Sequence, residues 1–231
     1  MKPDKAKVCI FFTMAALLLF SCQNEEVNVK EDGSQNIITG SVLAEQMLRI
    51  AQNPMSYDNI LDSTSCFSVK LPVQVLVNGE AVTIEGETDF ELIEDIFEQS
   101  STDEDEVTHQ FPVTVVYTDY TEQIIENNAE WLEAAACISA AYTGLDCINF
   151  KYPLSINLYD ITNQIADVAV MENDIELYGF LNNMQENILA EIAFPVVVIT
   201  PEGNEVRCNN NEVLLSVIDQ YAPLCSAVGG D

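Results

Sequence analysis

The chain has 231 residues, of which 38 are acidic, 8 are basic and one is histidine, so the net charge is -30. Hydrophobic residues make up 48%, which excludes a disordered acidic tail and allows a sizeable core. The charge excludes nucleic acid as a partner, because phosphate binding requires clustered lysine and arginine. One histidine and one tryptophan leave little material for histidine-based catalysis or aromatic sugar platforms.

The N-terminus has the pattern of a lipoprotein signal peptide over residues 1–21. Three lysines precede an apolar run of 13 residues, 8–20, which is too short to span a bilayer and typical of a signal-peptide core. The run ends in Leu19-Phe20-Ser21-Cys22. This resembles a bacterial lipobox, and the resemblance implies that Cys22 is lipidated and becomes the first residue of the mature protein. Ordinary secretory cleavage, with Cys22 an incidental thiol, is the alternative.

The sequence after Cys22 indicates a location. Residues 23–26, Gln-Asn-Glu-Glu, resemble the short acidic export tag of surface lipoproteins from the Bacteroidota. That resemblance implies an outer-membrane protein that faces the cell exterior, with an anchor facing the periplasm as the alternative. Removal of the signal leaves five basic and 37 acidic residues, a net charge of -32. Such a surface repels anionic lipid, so the N-terminal lipid itself must hold the protein to the membrane.

Residues 22–40 and 41–65 differ in pattern. The first stretch is polar, contains glycine and has no sustained period, which predicts a flexible acidic tether. In the second, apolar residues at helical spacing follow Ser41, a candidate N-cap, and stop near Pro54. We therefore expect a short helix and a linker, with the helix packed as a strap on the domain that follows.

Four later segments read alike, and in each a proline follows an aromatic residue or leucine. The apolar and polar residues around the proline alternate, which predicts a strand with one buried face. Because proline cannot donate a ladder hydrogen bond, each such strand should begin or bulge at a sheet margin. A proline-lined ligand surface is the functional alternative. The prolines are Pro72, Pro112, Pro153 and Pro195, at intervals of 40, 41 and 42 residues.

A turn, a second strand and a helix start follow each proline strand. The turn of the first segment is Asn78-Gly79, a pair suited to a tight hairpin because both residues tolerate positive φ. Each candidate helix cap has a glutamate three residues later, as in a capping box. This order predicts a β-hairpin-plus-helix unit in four copies. The cap and glutamate pairs are Thr88 with Glu91, Asn127 with Glu130, Asn173 with Glu176 and Asn209 with Glu212.

Cysteines reveal a larger repeat, because one lies six residues before the first and third prolines and one ends the second and fourth helices. We therefore predict an α+β fold of two tandem ββαββα domains, each with an antiparallel four-stranded sheet and two helices on one face. The first domain covers 66–137, a linker 138–146, the second domain 147–225 and a tail 226–231.

The repeat symmetry also predicts disulfides, which an exported protein can form. It pairs Cys66 with Cys137 and Cys147 with Cys225, while a local bridge between Cys137 and Cys147 is the alternative. Cys208 is left over once Cys9 leaves with the signal. A reactive thiol there would have only one imidazole partner, His109, and a buried small hydrophobe is the favoured interpretation.

The remaining chemical candidates are few. Residues 100–106 are rich in oxygen ligands, and Asp103 and Asp105 are weak metal candidates, but the run lacks the spacing of a calcium loop. A solvated loop is the favoured interpretation. The sequence contains no catalytic motif and implies no cofactor.

The repeated segments, of the type CFSVKLPVQVLVNGEAVTI followed by FELI, resemble flavobacterial-type surface lipoproteins of the Bacteroidota, which have unknown function and tandem ββα units. The resemblance covers residues 22–225 and implies no catalytic residues. We expect a non-enzymatic binding or structural module of the cell envelope with an unknown ligand. The alternatives are a carboxylate-dependent extracellular hydrolase and a divalent-cation-dependent adhesion module.

Overall fold

The computed structural model describes residues 36–56, 59–99, 102, 104–137, 142–160, 166–185 and 188–225, all within one compact unit, Ser34–Asp231. Over these residues the fold is mixed α+β, with five α-helices and thirteen strands in four antiparallel sheets. None of the described helices is long and apolar enough to cross a membrane. Residues 1–21, Cys22 and Asp103 lie outside the described residues, so the predictions made for them stay predictions.

The segment before residue 66 packs on both parts of the molecule. Strand β1 (Asn36–Ile37) pairs with a strand of the C-terminal part, although we predicted tether there. Helix α1 (Val42–Ile50) begins at the predicted cap, where the Ser41 hydroxyl accepts the Ala44 N–H at 3.3 Å. The prediction that α1 packs on the first domain is wrong, because its apolar face lies in the core of the C-terminal part.

Residues 66–137, here called the first half, form two three-stranded sheets and two helices. The sheet orders are β4-β3-β5 and β2-β6-β7, all antiparallel. The elements are β2 (Phe67–Val69), β3 (Val73–Val77), β4 (Glu80–Ile84), α2 (Phe90–Phe97), β5 (Val107–His109), β6 (Val113–Tyr117), β7 (Glu122–Ile125) and α3 (Asn128–Ala135).

Residues 147–225, here called the second half, follow the same order of elements. Their sheets are β13-β12-β8 and β1-β11-β9-β10, the latter extended by β1. The elements are β8 (Asn149–Phe150), β9 (Leu154–Asp160), β10 (Ala166–Met171), α4 (Asp174–Asn182), β11 (Ile188–Ile192), β12 (Val196–Ile199), β13 (Glu205–Cys208) and α5 (Asn211–Cys225).

The two hairpins of each half do not share one four-stranded sheet, so that part of the prediction is wrong. The strand before Pro72 pairs with β6, which follows Pro112, and the strand before Pro112 pairs with β3, which follows Pro72. The second half makes the same exchange, β8 with β12 and β11 with β9. Each helix packs on the hairpin that precedes it, so each sheet carries one helix.

The prolines explain the exchange. All four X-Pro bonds in these segments are cis, and each proline is exposed. Because proline cannot continue a hydrogen-bonded ladder, the chain leaves one sheet at the proline and enters the other. The predicted long strand is therefore two short strands that belong to different sheets.

Each half has its own apolar core, closed by a disulfide. The first core gathers Phe67, Val75, Ile93 and Trp131, and the second includes α1 as well as residues 145–225. The disulfides join Cys66 to Cys137 and Cys147 to Cys225, with Cα–Cα distances of 5.9 and 5.1 Å. These are the pairs that the repeat symmetry favoured, and Cys137 is not bonded to Cys147.

Two of the four predicted helix caps are present. The Asn127 side chain accepts the N–H groups of Ala129 and Glu130, and the Asn173 side chain accepts that of Glu176. Each following glutamate accepts the N–H of the residue before the cap, at 2.9 Å.

The other two predicted caps, Thr88 and Asn209, are wrong. Thr88 lies inside a 3₁₀ turn, and the Asp89 carboxylate accepts the N–H groups of Glu85 and Gly86 there. Asn210, and not Asn209, accepts the Val213 N–H at the start of α5.

Candidate functional site

The two proline turns of the first half line one groove, here called the proline groove. It has a volume of about 600 Å³ and is lined by residues 70–74 and 110–114. The Lys70 N–H donates to the Thr114 carbonyl at 2.8 Å, which holds the two turns together. Leu71 and Phe111 are half-buried against the core. The groove thus combines amide and hydroxyl side chains with exposed proline rings.

A second groove, here called the junction groove, lies where the first half meets helix α4. Its volume is about 520 Å³, and it shares Lys70 and Leu71 with the proline groove. Its floor includes the buried Asn53 amide, which donates to the hydroxyls of Ser56 and Ser68 at 3.0 Å each. The lining is Asn53, Met55, Ser68–Leu71, Gly86, Glu87, Val116, Tyr120, Glu122 and Ile175.

One wall of the junction groove is apolar and open to solvent. Ile175 is 59% exposed, although it lies in the first turn of α4, where a polar residue would cost nothing. Met55 and Leu71 are half-buried beside the same space. Exposed apolar side chains that share a concave site favour ligand binding over a role in the core.

The charged residues of the junction groove are Lys70, Glu87 and Glu122, which leave it one negative charge. The Lys70 ammonium contacts both Glu122 carboxylate oxygens, at 2.7 and 2.8 Å, and both side chains are about half-exposed. An equivalent exposed pair joins Lys151 to Glu205 at 2.6 Å in the second half. Each lysine precedes its proline by two residues, so the two pairs occupy matching places.

Tyr120, in the loop between β6 and β7, has an unusual backbone. Its φ is +65°, a left-handed conformation that side chains disfavour. The Tyr120 N–H donates to the Tyr117 carbonyl, and the Tyr117 N–H donates to the Thr121 carbonyl. The loop between β12 and β13 has the same two bonds, and Gly203, with φ +78°, occupies the place of Tyr120.

The Tyr120 side chain joins the first half to helix α4. Its ring packs edge-on against the ring of Tyr178, with centroids 5.8 Å apart. Ile175 and Tyr178 are three residues apart and so share a face of α4. Burial raises the pKa of the Tyr120 hydroxyl, and nearby Asp174 raises it further. The hydroxyl therefore stays protonated at neutral pH and can donate a hydrogen bond.

A hydrogen bond within the second half holds the first turn of α4 in place. The Tyr152 hydroxyl donates to the Asp174 carboxylate at 2.6 Å. Burial raises the pKa of Asp174, and this hydrogen bond partly offsets that effect. The contact positions the helix turn that carries Ile175.

His109 packs against the first core and lies in neither groove lining. Its ring stacks on Trp131 with centroids 4.0 Å apart. Burial lowers the pKa of His109 to about 4, although a hydrogen bond with the Leu61 backbone opposes this. The imidazole is therefore neutral at pH 7 and serves as a packed ring.

Cys208 is buried in the second core as a free thiol, and burial raises the pKa of that thiol. His109 stacks on Trp131 of the first core, so the structure does not bring the two residues together. A buried thiol with a raised pKa is a poor nucleophile. The arrangement fits the buried-hydrophobe interpretation of Cys208.

The predicted metal candidates do not form a described site. The Asp105 carboxylate accepts the Asn78 side-chain amide at 3.1 Å, and Asp103 lies outside the described residues. Among the residues that the structure describes, no group of three or more His, Cys, Asp or Glu side chains could hold a metal ion.

The acidic charge is unequally divided between the halves. The first half has 17 acidic residues and one basic residue, Lys70, whereas the second has 11 acidic and two basic residues. Residues 80–106 alone contain 12 acids and no base. Most of the residues that line the two grooves therefore belong to the more negative half.

No family model, curated protein or solved structure matches this chain.

The sequence analysis did not predict Tyr120, Glu122 and Ile175 as groove residues. One signal was present, because Tyr120 and Gly203 each lie eight residues after a proline. A tyrosine at the place where the matching segment has glycine indicates a residue kept for its side chain.

Proposed function

We propose that this protein is a non-enzymatic, lipid-anchored binding module of the cell envelope, with its ligand site in the first half. The observation that carries the proposal is the pair of grooves that meet at Lys70 and Leu71. Their volumes fall in the range of small-molecule and peptide sites, and both combine apolar faces with hydrogen-bonding groups.

We further propose that the chain is built from tandem ββαββα units that exchange their pre-proline strands. The four recurrent prolines, the matching exchange in both halves and the matching Tyr120 and Gly203 loops support this. Repeats that bury each other's faces would explain why 40-residue units fold without large cores of their own.

The anchor and location are part of the proposal. The lipobox-like sequence before Cys22 supports lipidation, and the acidic residues after it support display on the outer face of the outer membrane. Cys22→Ser should abolish labelling by radioactive palmitate and release the protein from membranes. Protease added to intact cells should remove the wild-type protein but spare a periplasmic marker. Survival of the wild-type protein under that treatment would contradict surface display.

The binding site can be tested on the full soluble chain, residues 23–231. We would screen immobilised neutral glycans, acidic glycans and basic and acidic peptides, and compare the wild type with Leu71→Gln. Phe194→Gln is the matched control, since Phe194 also precedes a cis proline and is half-buried. We expect at least one ligand class to bind, with loss of binding in Leu71→Gln alone.

Two outcomes would overturn the proposal. Binding to none of the classes would remove the binding function, provided that the protein is folded by circular dichroism. Release of shortened products from any of the polymers would contradict the non-enzymatic part and favour the hydrolase alternative.

A further inference from the structure

We propose that the junction groove binds a peptide segment in which a lysine or arginine stands next to an apolar side chain. This inference rests on the proposed binding function and names its ligand class. The groove offers carboxylates for the cation and an exposed apolar wall for its neighbour.

The charge of the site favours a cation. Glu87 and Glu122 line the groove against a single Lys70, and the surrounding half carries 17 acids with no other base. A field of one sign raises the local concentration of oppositely charged ligands and repels acidic ones. Acidic glycans and acidic peptides are therefore unsuited to this groove.

A ligand cation can replace the Lys70 ammonium in its ion pair with Glu122. Both side chains are about half-exposed, and exposed ion pairs contribute little to stability. A ligand ammonium or guanidinium that displaces Lys70 would keep Glu122 neutralised, and the free Lys70 side chain can turn to water. The exchange therefore costs the protein little.

The apolar wall suits the neighbouring side chain and the stem of the cation. Ile175 is 59% exposed, and Met55 has a flexible side chain that adapts to ligand shape. Lysine and arginine stems pack along such surfaces while the charge stays wet. The ligand thus makes two kinds of contact in one groove.

The Tyr120 ring gives the junction groove an aromatic side chain that the matching loop lacks. It lines the groove and packs edge-on against the ring of Tyr178 in α4, with ring centroids 5.8 Å apart. The matching loop has Gly203 at this position and so carries no side chain there. Together with Ile175, the ring adds apolar surface against which a lysine or arginine stem can pack.

The test is calorimetry on the folded chain, residues 23–231, with three blocked peptides: acetyl-Leu-Lys-Leu-amide and its Gln and Glu versions. We expect the lysine peptide to bind about tenfold more tightly than the glutamine peptide, and the glutamate peptide not to bind. Glu122→Gln should weaken the lysine peptide about tenfold, while Lys70→Gln should strengthen it several-fold because Glu122 becomes free. Glu205→Gln and Lys151→Gln are the matched controls, which should change nothing.

A further control separates the groove from the general field. Glu91→Gln removes an exposed carboxylate of α2 outside the groove, and we expect less than a twofold effect. Equal weakening by Glu91→Gln and Glu122→Gln, or no gain with Lys70→Gln, would overturn the inference. So would failure of the lysine peptide to bind. The proposed function would still stand if another ligand class bound and Leu71→Gln abolished that binding. It would be overturned as well if no ligand class bound in this way.

Discussion

The loop between β6 and β7 and the loop between β12 and β13 are the most informative comparison in this protein. They have the same two backbone hydrogen bonds at the same spacing, and each is preceded by a cis proline and followed by a glutamate that pairs with a lysine. One has tyrosine at the left-handed position and the other has glycine. The tyrosine loop faces a groove with an exposed isoleucine, in the half with more acidic charge.

The two halves thus share one framework but differ in the residue that occupies its left-handed position. Gly203 adopts the left-handed backbone without strain, which is sufficient for a loop that has only a structural role. Tyr120 adopts the same conformation at a cost, and its ring contacts Tyr178 and lines the junction groove. In the proposed function, the first half carries most of the residues that a ligand would contact, and the second half contributes Ile175 of α4.

Removal of a disulfide should have the largest effect on stability, and it tests whether the two halves are stabilised alike. They close loops of similar length, with sequence separations of 71 and 78, so the chain-entropy model assigns each about 4 kcal/mol. We expect Cys66→Ser/Cys137→Ser and Cys147→Ser/Cys225→Ser to lower the free energy of unfolding in urea by similar amounts. A loss below 1 kcal/mol for either pair would show that the halves are not stabilised alike.

His109 gives the first half a pH dependence from a histidine, which the second half lacks because the chain has no other histidine. Its pKa falls from 6.5 when unfolded to about 4 when folded, so protonation favours unfolding. The free energy of unfolding should drop by about 3 kcal/mol between pH 6.5 and pH 4 through this group and level off below. His109→Phe should remove that part of the slope. An unchanged slope in the variant would contradict the burial of a neutral imidazole.

Alanine substitutions measure the cost of the left-handed backbone in the two loops. Alanine in this conformation costs about 1 kcal/mol more than glycine. Gly203→Ala should therefore lose about 1 kcal/mol, and Tyr120→Gly should be about 1 kcal/mol more stable than Tyr120→Ala. Thermal unfolding of the four proteins checks both differences. If Tyr120→Ala equals Tyr120→Gly, the Tyr120 backbone is not strained and the contrast between the loops fails.

Removal of one ion pair should give the smallest loss of stability. Both are exposed, so Glu122→Gln and Glu205→Gln should each lower the free energy of unfolding by less than about 1 kcal/mol. Urea unfolding of the two variants beside the wild type measures this. A loss of several kcal/mol in Glu122→Gln alone would mean that Lys70 and Glu122 hold the fold together, and a ligand could not exchange with Lys70 there.

Local rules predicted much of the fold. Period-two alternation located the strands around Pro72 and Pro153, and Ser41, Asn127 and Asn173 cap helices as the sequence indicated. The cysteine symmetry gave the observed pairs. These features depend on neighbours in the chain or on repeat spacing, which a sequence displays directly.

Pairing between distant strands could not be predicted in the same way. Alternation is the same whether β2 pairs within its own hairpin or with β6, and nothing local indicates that Leu71–Pro72 is cis. Helix α1 is amphipathic, but its sequence does not indicate which core it enters. The junction groove depends on long-range contacts of this kind, because it needs β2 beside β6 and Tyr120 beside Tyr178 of α4.

Confinement of ligand binding to the junction groove can be tested by a nuclear magnetic resonance titration. The ¹⁵N-labelled chain, residues 23–231, would be titrated with acetyl-Leu-Lys-Leu-amide. We predict saturable shifts at the amides of Met55, Glu87, Tyr120, Glu122 and Ile175, with none in the loop around Gly203. Shifts of equal size around Gly203 and Glu205, or shifts spread evenly over the acidic surface without saturation, would contradict it.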